Sequence, residues 1–418
     1  MQPAAYKQNT SPLMNSSNLA APSMVLAPTT RRRGLWGIFV STFLELAGYF
    51  MFGPLLVLTL SGRGFGPDVV GLFTASVWAG VLVATPFASH WVDQLGKRQS
   101  LIVSAAVPFA AFVVIALVDS PWVWAGLYFV AGIASSLRWI AAEATVAELA
   151  PPERRGRFVG LFETMVGATF VVGPALLAWI GTGNPLAPWV ALALIGAGLL
   201  ATYLVPELPH VHAADTHDGH HHLGLRGILT AVKAAPVIMI AGFVGGFFES
   251  GITSLLPVYG LALGFTAAAA ALLVSASGLG SSLMMWPLGE LADRVSRRAV
   301  FITCAALTLA GTLLLPLAAG TTWLAWVIAF VWGSAGGALY TLAMIEIGTR
   351  NTGTALVSST SVLVLSYTFG GMLAPALGGL MLKWAPQWGF TGLLGLVAAG
   401  GLLALIADQS MRRGRVAR

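Results

Sequence analysis

The 418-residue sequence predicts an all-α membrane protein, with twelve transmembrane helices arranged as two pseudo-symmetric six-helix bundles. Three observations carry this: a scarcity of charge, a succession of long apolar runs, and a repeat of one half in the other. Hydrophobic residues make up 57% of the chain and charged residues 9%, against about 25% charged in an ordinary soluble domain. A soluble protein of this composition would expose very large apolar patches. A bilayer removes the problem, because lipid solvates the apolar faces.

A spanning helix needs roughly 20 mostly apolar residues. Runs of that kind cover 34–60, 67–90, 99–118, 121–148, 157–181 and 186–205 in the first half. In the second they cover 232–262, 265–289, 299–319, 321–347, 354–383 and 386–407. The expected organisation is a disordered cytosolic tail at 1–30, a bundle at 31–205, a His-rich cytosolic linker at 206–231, a second bundle at 232–407 and a basic tail at 408–418. Residues 1–30 lack the basic, apolar and cleavage-site order of a secretory signal.

The basic residues alternate in position. Arg31 to Arg33 precede the first run, and Lys97 with Arg98 follow the second. Arg154, Arg155 and Arg157 follow the fourth, Arg226 and Lys233 lie between the halves, and Arg294, Arg297 and Arg298 follow the eighth. Arg350 follows the tenth, and four arginines close the chain; only Arg63 and Lys383 fall on the other side. The positive-inside rule then puts both termini in the cytosol, with the cytoplasmic (inner) membrane as the expected location. The net charge of +6 is spread between apolar runs and not over one soluble face, which argues against a nucleic-acid partner. The single cysteine, Cys304, cannot form an internal disulfide.

Offsetting the halves by about 200 residues aligns four features. Phe39 to Glu45 matches Phe243 to Glu249, with Pro54 and Pro257 following. Asp93 with Gly96-Lys97-Arg98 matches Asp293 with Ser296-Arg297-Arg298, and Gly173-Pro174 matches Ala374-Pro375. Parallel six-span repeats place a binding site between the halves, near the bilayer midplane.

The stretch Gly289-Glu-Leu-Ala-Asp293-Arg294-Val-Ser-Arg297-Arg298 resembles the signature of the major facilitator superfamily. Its first-half counterpart, Ser89-His-Trp-Val-Asp93-Gln-Leu-Gly96-Lys97-Arg98, departs at Ser89, Trp91 and Gln94. More locally, Trp139-x-x-x-Glu143, Glu148 to Gly156, Leu256-Pro-Val-Tyr259 and Trp286-Pro-Leu-Gly289 resemble the bacterial YcaD-like branch. Gly173-Pro174 in span 5 partly resembles the motif of drug/proton antiporters. The resemblance implies alternating access in a functional monomer and a central cavity lined by spans 1, 4, 7 and 10. It implies that the signature residues brace the cytosolic side in the outward-facing state. Glu148 and Glu346, at cytosolic helix ends, are the expected bracing partners of Arg98 and Arg298.

Charge inside a membrane costs about 2.5–3.5 kcal/mol on insertion scales and marks function or pairing. The candidates for proton coupling or the substrate cavity are Glu45, Arg138, Glu143, Glu163 and Glu249. Glu45 and Glu249 occupy equivalent positions, so they are expected to face each other across the pseudo-twofold axis and exchange protons, or else each to bond a neighbouring helix. Burial disfavours the charged form of a carboxyl, and a neighbouring carboxylate does so further. Arg138 and Glu143 stand about 140° apart on one helix. Arg138 is therefore read either as an anchor for an anionic substrate or as the partner of Glu143, Glu163 or Glu45. Phe43, Tyr49, Trp139, Phe247 and Tyr340 are candidates for a pocket wall.

Six of seven histidines fall in the linker, at 210, 212, 217, 220, 221 and 222. His210, His212, His217, His220, His221 and His222 lack fixed ligand spacing and read as a solvated linker or a loose metal site. The chain shows no phosphate-binding loop, no nucleophile–base set and no signal for a cofactor, so the sequence reads as neither an ATP-driven pump nor an enzyme. The leading expectation is proton-coupled efflux of small apolar or cationic compounds. Its rivals are uptake of a metabolite or nutrient, anionic if Arg138 binds it, and a metal-responsive membrane sensor.

Overall fold

A computed structural model describes residues 27–151, 154–208, 236–350 and 353–416. In the first half the helices are α1 (Pro28–Gly62), α2 (Pro67–Leu95), α3 (Lys97–Leu117), α4 (Pro121–Leu149), α5 (Arg155–Ile180) and α6 (Ala187–Thr202). In the second they are α7 (Pro236–Ala262), α8 (Ala267–Arg294), α9 (Arg297–Leu314), α10 (Thr322–Arg350), α11 (Gly353–Trp384) and α12 (Gly389–Val416). A 3-10 turn, Leu315–Ala318, extends α9. Eleven of these helices are long and apolar enough to cross a membrane. The remaining one, α6, has 16 residues and rises about 24 Å. The fold is thus the all-helical double bundle that the apolar runs predict. At the C-terminus the helix runs on through residue 416, past the apolar run that ends at 407. The histidine linker lies outside the described residues, and no group of His, Cys, Asp and Glu able to hold a metal occurs among the described ones.

Local sequence explains the helix starts. Proline opens α1, α2, α4 and α6, at positions where its missing N–H is no loss. Thr266 caps α8, its hydroxyl accepting from the Ala269 N–H at 3.3 Å. Between α2 and α3 a single residue, Gly96, makes the turn with φ +80°, a conformation nearly closed to other residues. Its counterpart Ser296 has φ −58°. The second copy therefore needs two linking residues, Val295 and Ser296, where the first needs one.

Small residues set the packing, as expected where lipid supplies no driving force between helices. A Cβ on Gly80 would lie 2.1 Å from the Phe129 carbonyl, and one on Gly132 2.0 Å from the Val77 carbonyl, so α2 and α4 meet backbone to backbone. The second half repeats this in α8 and α10. There Gly280 abuts the Phe330 carbonyl at 2.0 Å and Gly333 the Ser277 carbonyl at 2.1 Å. The repeat offsets are again about 200.

The halves meet along α2–α11, α5–α8 and α1–α7. The start of α1 and the end of α12 belong to one end of the bundle, here the terminal end. The seam is tightest at the opposite, far end. There Lys383 donates to Asp68 at 2.7 Å, and Gly71 and Gly379 pack against Pro375 and Pro67. It continues to mid-depth through Trp78 against Gly371 and Gly278 against Phe170, and through a Ser275 hydroxyl donating to the Val171 carbonyl at 3.0 Å. The two far-end cations found in the sequence are both paired there, Arg63 with Asp119 and Lys383 with Asp68.

Candidate functional site

Glu45 lies halfway along α1, and Glu249 halfway along α7. The expected opposition of the two carboxyls across the axis is not formed. Glu45 is 4% exposed and turns into its own bundle. Its carboxylate lies 2.9 Å from the Arg138 guanidinium, itself 4% exposed, while the backbone of Gly198 on α6 closes over its Cβ. Arg138 also donates to the Leu101 carbonyl at 3.3 Å, the Ser41 hydroxyl at 3.2 Å and the Thr42 hydroxyl at 3.1 Å. The physical reason is helix rotation: the face of α1 carrying Ser41, Thr42 and Glu45 is the one that meets α4 and α6. Of the partners open to Arg138 in the sequence, the fold selects Glu45.

Glu249 sits in a different setting. It is half-buried and faces the Tyr367 hydroxyl. The Tyr340 and Tyr367 rings pack at 4.7 Å between centroids, and Trp78 of the first half joins Tyr367 at 6.0 Å. Tyr340 takes the place in the second half that Arg138 holds in the first. Arg138 bonds Ser41, and Tyr340 packs on Gly245, the counterpart of Ser41. The repeat thus gives Glu45 a cation and Glu249 a phenol.

Tyr340 brings the remaining acids together. It lies within electrostatic reach of Glu249 and of Glu143 and Glu163 from the first half. Glu143 and Glu163 are neighbours, with the exposed Trp139 beside Glu143. None of these three carboxylates forms an ion pair with a described residue. Glu143 is exposed and Glu163 half-buried, and both lie on the terminal side of the seam. Tyr340, Tyr367 and Trp78 thus meet at mid-depth where the halves adjoin, with the three acids within reach of Tyr340. Phe247 is buried in the core, and Tyr49 is half-buried against it. A small apolar crevice in the second half, lined by Ala241, Val244, Phe301 and Ala305, carries no titratable group.

The signature residues sit at the terminal end. Glu148 pairs with Lys97, not with Arg98. Arg98 reaches past it to Glu207, donating at 2.8 Å, and lies over the Tyr203 ring. The cause is again rotation: consecutive residues on α3 point about 100° apart, so only Lys97 faces the end of α4. Asp93 is exposed and unpaired among the described residues. Arg294 pairs with Glu290 one turn away on its own helix. Gly289 and Asp293 lie outside the residues whose surroundings are described. Arg297, Arg298 and Glu346 all make contacts at this end. Arg31 adds a brace that charge counting overlooks, donating to the free carbonyls of Leu149, at 2.5 Å, and Ala150 at the end of α4. Sequence reasoning also missed Trp78 and Tyr367, which lie on helices outside the four expected to line the cavity.

The model of the Major Facilitator Superfamily matches residues 38–356 and 262–416. The chain belongs to this superfamily and is a multi-pass membrane protein of a transporter family. It is 24% identical over 331 residues to an uncharacterized MFS-type transporter of Bacillus subtilis, YfkF, covering 78% of this chain and 83% of that one. It is 25% identical over 335 residues to the MFS-type transporter YcaD of Salmonella paratyphi A, covering 79% and 84%. Among solved structures, the nucleoside transporter NupG superimposes with a TM-score of 0.72 at 14% identity, covering 91% of this chain and 98% of that chain. The human organic anion transporter TETRAN does so with 0.65 at 17% identity, covering 90% and 99%. These likenesses establish the major facilitator fold.

Proposed function

We propose that this transporter exports small cationic or apolar compounds from the cytosol in exchange for protons. It would act as a monomer in the cytoplasmic membrane with both termini inside. The observation that carries the reading is the group of three carboxylates, Glu143, Glu163 and Glu249, gathered around Tyr340 and Tyr367 with no described cation beside them. The half-buried carboxylates among them, Glu163 and Glu249, gain from a counter-charge. A proton or an organic cation supplies it, and each excludes the other, which makes the group an exchanger. Aromatic faces at the same depth favour cations and flat apolar groups. The orientation rests on the basic residues gathered at the terminal end, so the present state opens toward the cytosol.

Uptake of an anion has less support, because Arg138 is sequestered against Glu45. The test uses inverted vesicles with an imposed pH gradient, acid inside, and ethidium as the probe cation. The expected result is gradient-driven accumulation that is lost in Glu249→Gln and reduced in Glu143→Gln. Full accumulation in both variants, or transport of organic anions instead, overturns the proposal.

A further inference from the structure

The seams α2–α11 and α5–α8 are counterparts in the repeat, and they differ at mid-depth. On α2–α11 Trp78 lies against Gly371. At the repeat offset their counterparts are Gly278 and Phe170, which meet on α5–α8. Gly278 meets the chain itself there: an added Cβ would lie 2.8 Å from the Phe170 Cβ and 3.2 Å from its carbonyl oxygen. The Phe170 ring turns back into its own half, 3.9 Å from the Phe50 ring between centroids. Gly371 meets a ring instead, and an added Cβ would lie 2.7 Å from Trp78 Cε3. At this depth one seam is closed by fixed chain and the other by a side chain that can swing.

Tyr367 holds that side chain from the second half. It stands one turn before Gly371 on the same face of α11, and its ring meets the Trp78 ring at 6.0 Å with the planes 66° apart. Among the described residues this is the aromatic pair that joins the halves. Tyr367 is itself fixed at both ends. A Cβ on Gly246 would lie 1.9 Å from the Tyr367 carbonyl oxygen, so α7 and α11 touch there chain to chain. The Tyr367 hydroxyl faces Glu249, three residues past Gly246 and on the same side of α7. A line of contacts therefore runs from the Glu249 carboxylate through Tyr367 and Trp78 to the seam at Gly371. The first half has no such line, because the counterpart of Tyr367 is the buried, apolar Val166.

An exchanger that crosses empty runs its gradient down without moving cargo. A hydrogen bond to a carboxylate is about twice as strong as one to a neutral acceptor. Bare and ionised, Glu249 holds Tyr367 most firmly, and Tyr367 in turn holds Trp78 on Gly371. A proton or an organic cation on the carboxylate weakens the first of these contacts. We propose that Tyr367 is a latch: it positions Trp78 against Gly371 while Glu249 carries neither proton nor cargo, and so keeps the empty carrier closed at the far end. The step in which cargo opens the latch rests on the exchange reading above. The dependence of the latch on the Glu249 charge does not.

Double electron–electron resonance between labels at Leu95→Cys and Val295→Cys, on the full chain in liposomes, reads the gap between the halves at the terminal end. Tyr367→Phe removes one hydroxyl, Glu249→Gln removes the charge, and Trp78→Leu removes the ring. Without cargo, each is expected to enlarge the shorter-distance population, by about 5- to 150-fold in the equilibrium between states. Combining Tyr367→Phe with Trp78→Leu is expected to add nothing more, because both break one line, whereas independent structural damage adds. Phe170→Leu, at the counterpart seam, is expected to leave the distribution as it is. Ethidium is expected to enlarge the same population in the labelled parent chain and to have little left to enlarge in Tyr367→Phe. A cargo-free distribution unchanged in Tyr367→Phe, full additivity in the double variant, or an equal shift in Phe170→Leu overturns the latch. Should Trp78→Leu fail to fold, Tyr367→Phe and Glu249→Gln decide by the same additivity. Variants that shift in a chain indifferent to ethidium would sink cation export and leave the latch standing.

Discussion

Replacing Gly71 with alanine tests the contact that closes the far half of the molecule. A Cβ at this position would lie 2.1 Å from the Pro375 carbonyl and 3.0 Å from the Gly379 Cα, where ordinary Cβ contacts begin at 3.4 Å. The neighbouring atom is backbone in the middle of α11, so no rotamer can relieve the clash. The helices must part by about 1 Å, which is overpacking of the kind that costs about 1–3 kcal/mol. The contact joins the two halves and exists only while the far end is closed. Its cost therefore appears as a shift between states, about 5- to 150-fold in favour of the far-open one. Alanine also raises helix propensity by about 1 kcal/mol, but equally in both states, so the shift is expected without loss of thermal stability. Cys304 is the only cysteine and is buried, which leaves a clean background for spin labels. Labels at Leu95→Cys and Val295→Cys, both exposed at the terminal end of α2 and α8, report the gap between the halves by double electron–electron resonance. The expected result is growth of a shorter-distance population in Gly71→Ala and none in Gly126→Ala, whose Cβ would meet open space. An unchanged distribution in a folded Gly71→Ala would refute the claim that this seam sets the state.

Lys383→Gln removes the exposed far-end ion pair with Asp68. It should move the same distance distribution only slightly, by about 0–1 kcal/mol, with the difference fading at high salt. Arg138→Met leaves the Glu45 carboxylate buried without its partner, at a cost of about 3–5 kcal/mol. A marked drop in the thermal midpoint of the purified protein is expected, and adding Glu45→Gln to that variant should recover part of it. Recovery fails to appear if the two side chains do not interact.

The placement of helices was readable in the sequence for a physical reason. Only a helix satisfies its backbone within one apolar segment, so twenty apolar residues between polar turns suffice to predict one. The superfamily was legible too, because the resemblance runs through contiguous motifs such as Gly289 to Arg298. The glycine pairs Gly80 with Gly280 and Gly132 with Gly333 were also within reach, since they recur at the repeat offset. Partner choice was not. Lys97 and Arg98 are adjacent in sequence yet point to Glu148 and Glu207, and only the rotation of α3 against α4 decides between them.

The same division holds for the glutamates. The sequence by itself determined that Glu45 and Glu249 occupy matched places at mid-membrane, because an internal repeat fixes depth and register. Tertiary structure decided that they are not equivalent. Helix rotation turns Glu45 into the first bundle against Arg138, while the corresponding place in the second half holds Tyr340, leaving Glu249 beside the phenols of Tyr340 and Tyr367. Which of the two carboxylates meets a cation is set only when the helices of each half pack against one another.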